Sequence, residues 1–226
     1  MGIRRNLSKS YNIEVLERIT NTNIPSIVTA LGFDTAYVSP NPIGIGVHHE
    51  VYLYSPPTER AKVLKIRRDS LFGIPQTAKT EQRDLDLVAS YLPRNKVAAQ
   101  VLEAAGNYLV AMDFVPGRHL TLQELRRSHR EEFGDIFRNN KRMVREQGMS
   151  AEFVGREGVV DLMTLGWFTG KKCRLSNLII SEDDNSLKLV GHTLIPLNLE
   201  GLSANQLKCA MIFAMNVALR KATLGW

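Results

Sequence analysis

The sequence predicts an α+β chain in two lobes, a small antiparallel-sheet lobe followed by a shortened helical one. Three observations lead there. From Ala36 to Ile66 the apolar residues fall in short β-type runs rather than at helical spacing. An amphipathic helix over residues 77–92 then interposes before two more apolar runs. Finally, Pro116-Gly117 punctuates the chain, and most of the chain beyond it is helix-patterned.

Residues 8–32 read as two short helices, with Ile13, Leu16 and Ile19 at helical spacing and Pro25 as a first-turn proline. The β-type runs are TAYV, EVYLYS and AKVLKI, and Pro56-Pro57 sets the last two as an antiparallel hairpin. In the helix over 77–92, Leu85, Val88, Ala89 and Leu92 share one face. KVAAQVLEA and NYLVAMDFV come next, the second being the better strand candidate. Beyond Gly117, Thr121 and Glu124 form a capping box that starts a helix. The charged segment 128–150 is helical, with Phe133, Ile136, Phe137 and Met143 facing inward. LSNLIIS and SLKLV flank a hairpin turn at Glu182–Asn185, and Ser203 with Gln206 caps a last helix. The expected divisions are an N-terminal helical extension over 1–35, a lobe and hinge over 36–117, and a second lobe over 118–226.

Composition bounds the function. A hydrophobic fraction of 44% in 226 residues suffices for a core. No apolar run approaches a membrane span, no signal peptide is visible, and Asn6 stands at the myristoylation position, so no membrane partner is expected. Cys173 and Cys209 have neither pairing nor metal-ligand spacing, which reads as a reduced, cytoplasmic setting. The net charge of +6 suggests some affinity for polyanions. The basic residues are scattered in pairs without interleaved aromatics, so nucleic acid is a secondary reading and nucleotide phosphate a sufficient anionic partner.

One series of residues carries chemistry by its order. Gly44-Ile45-Gly46 leads into a strand containing Val51; such glycines let backbone approach phosphates, and the valine can cover a purine. Lys65 lies in the apolar strand Val63–Ile66, where an ammonium needs a polar partner. Glu81, opening the next helix, is the expected partner, with Asp84 one turn further on as the alternative.

This series resembles the small lobe of protein kinases and of the related aminoglycoside-phosphotransferase and RIO-type kinases. Tyr108–Gly117 is similar to the family's interlobe hinge. The resemblance implies a two-lobed kinase-like fold with ATP as ligand. It gives Met112 as gatekeeper, the Asp113 carbonyl and Val115 amide as adenine contacts, Lys65 as the phosphate-binding lysine and Glu81 as its anchor. His49 departs from the pattern, standing where the third glycine falls.

The second lobe departs further. Arg174–Ile180 is similar to the end of the catalytic loop H-R-D-x-x-x-x-N, with Asn177 as the metal-binding asparagine. That alignment puts Lys172 at the catalytic-base position, where a lysine is a poor substitute for a carboxylate. Where the metal-binding D-F-G motif would succeed Val190, the sequence reads Gly191-His192-Thr193. The principal Mg²⁺ ligand is thus missing, which argues against Mg²⁺ as a cofactor. Asp183, Asp184, Asp161 and His192 are weaker alternatives as metal ligands. The expected function is a nucleotide-binding pseudokinase or weak atypical phosphotransferase that regulates or scaffolds a protein partner. An active small-molecule or protein kinase with relocated acids, or a nucleotide-independent basic interaction module, are the alternatives.

Overall fold

The computed structural model describes residues 24–45, 49–67, 77–104, 106–153 and 174–196. The expected helix before Ile24, the C-terminal helix, Gly46 and Lys172 lie outside these residues.

Helix α1 (Ile24–Ala30) leads to a single 3-10 turn at Thr35–Tyr37. The strands β1 (Gly44–Ile45), β2 (His49–Tyr54) and β3 (Lys62–Arg67) come next, then helix α2 (Ala78–Tyr91) and the hairpin β4 (Ala99–Ala104) and β5 (Asn107–Asp113). These strands form one antiparallel sheet in the order β1-β2-β3-β5-β4. The expected strand TAYV is instead the 3-10 turn. Asp34 caps it by accepting from the Ala36 amide at 2.9 Å, and only Val38 bridges the sheet, at Tyr54. A short side chain that takes up a local amide competes with ladder pairing, and here the local bond wins.

Strand alternation assigns the sheet two faces. Tyr52, Tyr54, Leu64, Ile66, Leu109 and Ala111 point to one side, where Val28 of α1 and the partly buried Ile24, Ile27, Leu31 and Phe33 cover them. The Phe33 and Tyr54 rings meet edge to face with centroids 4.9 Å apart. On the other face Val110 and Met112 pack with Leu85 of α2. Thr77 and Thr80 cap that helix reciprocally.

Past the hinge, β6 (Gly117–Thr121) pairs antiparallel with β8 (Arg174–Ser181), which pairs with β9 (Leu187–Leu189). Between β6 and β8 lie α3 (Leu122–Ser128), α4 (Arg130–Gln147) and β7 (Met149–Ala151), the last paired with β10 (Leu194–Pro196). The capping box forms as expected: the Thr121 hydroxyl oxygen accepts from the Glu124 amide, and Glu124 Oε2 accepts from the Thr121 amide at 3.0 Å. Phe133, Ile136, Phe137 and Met143 are buried in the second core together with Phe153, Leu175, Leu178 and Leu187. Val88, Tyr91 and Leu92 also enter this core, so α2 contributes to the apolar packing of both lobes. The hinge exit is tight: a Cβ on Gly117 would collide with the Ile180 carbonyl, so only glycine fits beside β8 there.

Candidate nucleotide cleft and a buried histidine–glutamate cluster

Sheet register gathers the small-lobe residues. Gly44 pairs with Val51, Val51 with Lys65, and Lys65 with Val110, so one lateral row crosses four strands. The next row on the same face joins Val63 to Met112. Below these rows opens a cavity of about 370 Å³, lined by Gly44, Val51, Lys65, Met112, Asp113, Val115 and Asn177 among others. That volume lies within the usual range for small-molecule sites. Val51, Val63 and Ile179 of β8 contribute apolar lining, as do Ile43 and Phe114, both well exposed. The hinge backbone is fixed by the Asp113 and Phe114 amides, which donate to the Ala98 and Ala61 carbonyls at 2.9 and 3.0 Å.

Glu81 is not in this cavity, and its expected direct pair with Lys65 is not formed. The Lys65 ammonium donates to the Val190 carbonyl and lies 3.4 Å from His192 Nδ1. Glu81 faces two imidazoles instead: Oε1 is 3.1 Å from His49 Nε2, and Oε2 is 2.7 Å from His192 Nε2. His192 therefore stands between the lysine and the glutamate. Asp84 is no substitute partner either. It accepts from Arg83 at 2.9 Å and from the Leu194 amide at 3.4 Å.

Position explains the convergence. His49 precedes Val51 by two residues and so projects to the same sheet face. Glu81 lies in the first turn of α2, on the inward side shared with Asp84, Leu85 and Val88. His192 arrives from the segment between β9 and β10. Burial lowers Lys65 from its ordinary value of 10.5 to about 8, with the Glu81 charge opposing the shift. Burial and the Lys65 charge lower His192 to about 4, so its imidazole is neutral at pH 7. Burial alone would raise the Glu81 carboxyl, but the His192 and His49 hydrogen bonds outweigh it and hold the group well below the usual carboxylate range.

Gly191, where the kinase resemblance would place the D-F-G aspartate, is sterically closed. A Cβ on Gly191 would stand 2.6 Å from Asn177 Cγ, so the asparagine side chain fills the space that an aspartate would need. Asn177 Nδ2 donates to the Glu152 carbonyl at 2.8 Å, and the Asn177 carbonyl accepts from the Val190 amide at 2.9 Å. Among the described lining residues the carboxylate is Asp113, at the hinge rather than beside Asn177. A hard cation that demands an oxygen shell does not fit the donors that these described residues offer.

The five-stranded antiparallel sheet, the helix between its third and fourth strands in sequence and the interlobe cleft make this an α+β fold of the protein-kinase-like type. No family model matches the sequence, and no curated protein is similar to it. Among solved structures the chain is similar to a Stt7 homologue from Micromonas algae soaked with ATP, at 14% identity and a TM-score of 0.49 over 74% of this chain and 52% of that one. It is also similar to the PknI kinase domain of Mycobacterium tuberculosis, at 17% identity and a TM-score of 0.43 over 74% of this chain and 64% of that one. The chain thus spans between half and two thirds of the length of these two structures.

Two residues of the buried cluster were visible in the sequence only as separate departures. By the kinase resemblance His49 stands at a glycine position and His192 at the motif phenylalanine, and both positions lie next to the expected partners Lys65 and Glu81. That shared neighbourhood is the signal that would have joined them.

Proposed function

We propose that this chain is a kinase-like nucleotide-binding domain that works as a pseudokinase, or at most as a weak phosphotransferase, regulating or scaffolding a protein partner. The observation that carries the reading is the interlobe cavity, whose lining joins Gly44, Val51 and Lys65 to the hinge residues Met112, Asp113 and Val115. Its apolar walls suit a purine face, and hinge backbone suits a purine edge. The neighbouring Gly191–Asn177 contact supports binding over turnover, because it leaves no room for an acidic metal ligand at that position. Among the described residues Lys65 and His119 are the basic side chains lining the cavity, and in this reading Lys65 exchanges its Val190 contact for phosphate.

Thermal shift with adenosine, AMP, ADP and ATP, each with and without Mg²⁺, tests this. The expected result is stabilisation by ATP that does not depend on Mg²⁺ and is reduced in Lys65→Ala. A chain whose melting temperature ignores every nucleotide is not a nucleotide-binding domain. Strict Mg²⁺ dependence, with phosphate transfer abolished in Lys65→Ala, would favour an active kinase with relocated acids.

A further inference from the structure

We propose that His49, Glu81 and His192 form a buried binding site for one divalent transition-metal ion, with Zn²⁺ as the first choice. None of the three lines the candidate nucleotide cleft, and the inference stands independently of nucleotide binding. The side chains of His49, Glu81 and His192 are 8%, 0% and 3% exposed. Their donor atoms all lie within 4.8 Å of one another. Each comes from a different part of the fold, so the cluster is assembled by tertiary structure and held by the surrounding packing.

The geometry is close to that of a metal shell. Zn²⁺ binds imidazole nitrogen and carboxylate oxygen at about 2.0–2.2 Å, so neighbouring ligands of a tetrahedral ion stand roughly 3.3 Å apart. The two observed nitrogen–oxygen separations, 3.1 and 2.7 Å, fall short of that spacing by about 0.2 and 0.6 Å. Both imidazoles turn the same atom, Nε2, toward Glu81, and their rings are tilted by 53° with centroids 5.3 Å apart. Two rings arranged in this way can aim their Nε2 lone pairs at one point beside the carboxylate.

The donor set selects the class of ion. Two nitrogens and one carboxylate suit Zn²⁺, Co²⁺, Ni²⁺ or Fe²⁺ and disfavour Mg²⁺ and Ca²⁺, which prefer oxygen shells. Three protein ligands also leave a fourth position for water or another small ligand. Loading requires both Nε2 atoms to be free of protons, which moves each neutral ring to its Nδ1–H tautomer. At His192 that N–H faces the Lys65 ammonium, so metal binding favours withdrawal of Lys65 from His192.

The test uses the full chain, stripped with a chelator and then titrated with Zn²⁺ and with Co²⁺. The expected result is one equivalent bound, a raised melting temperature and visible Co²⁺ d–d bands of low coordination number. His49→Gln and His192→Gln, which keep a hydrogen-bonding group toward Glu81, should each weaken binding about 100-fold or more, given that losing even an outer-shell partner costs 10–100-fold. Cys173→Ser/Cys209→Ser should bind as the wild type does. If the glutamine variants fail to fold, the wild-type Co²⁺ protein decides: two paramagnetically shifted imidazole N–H resonances are expected. Absence of stoichiometric binding by the stripped wild type overturns the site. So does binding that persists in folded His49→Gln and His192→Gln, or a Co²⁺ spectrum with thiolate charge transfer and no imidazole resonances.

Discussion

At the scale of single residues, Gly191 shows how a sequence departure becomes a steric fact. Its missing side chain leaves the space that Asn177 fills, and Asn177 is in turn anchored to Glu152. Restoring the motif acid should therefore fail. Gly191→Asp is expected to destabilise the chain by about 1–3 kcal/mol through overpacking, measured by urea denaturation, without making nucleotide binding depend on Mg²⁺. Retained stability in Gly191→Asp would mean that the asparagine moves aside easily. Strand register, legible in the spacing, sets Gly44, Val51, Lys65 and Met112 beside one another, whereas Val115 and Asn177 reach the same cavity from outside that sheet. Register did not suffice for the partners of Glu81. His49 and His192 lie far apart in the chain, and a buried carboxylate takes whichever donors the packing delivers.

At the scale of elements, legibility tracks periodicity. Helices α2 and α4 repeat their inward positions over several turns, and the Thr121–Glu124 capping box marks the start of α3 by side-chain chemistry. The TAYV run offers too few residues for alternation to be read, and the Asp34 cap decides its conformation instead. The α3 box also carries a pH dependence. Although burial acts to raise Glu124, hydrogen bonds from Thr121 and Arg118 outweigh it and lower its pKa from the ordinary 4.5. A lowered folded-state value means that the group's stabilisation is fully present above that ordinary value. It is lost as pH falls below it toward the folded-state value. The stability difference between wild type and Glu124→Gln should therefore be larger at pH 7 than at pH 3, measured by urea denaturation at each pH. An unchanged difference would show that charge on Glu124 adds nothing to the cap.

At the scale of the whole molecule, α1 and α2 do different work. Helix α2 joins the two cores, through Leu85 on one side and Val88, Tyr91 and Leu92 on the other. Helix α1 covers the back of the sheet, so the segment before Ala36 belongs to the small lobe's packing rather than standing apart from it. A fragment beginning at Ala36 would bare the Tyr52, Tyr54, Leu64 and Ile66 face. It should bind the dye ANS and aggregate on size-exclusion chromatography where the full chain does not, and monomeric, dye-silent behaviour would show that α1 is dispensable.

The passage at Gly117 has a mechanical consequence. The Pro116 carbonyl is held by the Glu182 amide at 2.9 Å, and the next residue lies hard against the Ile180 carbonyl. A side chain at Gly117 would therefore have to pry the chain away from β8, so this one position sets how closely the end of the five-stranded sheet is stitched to the second sheet.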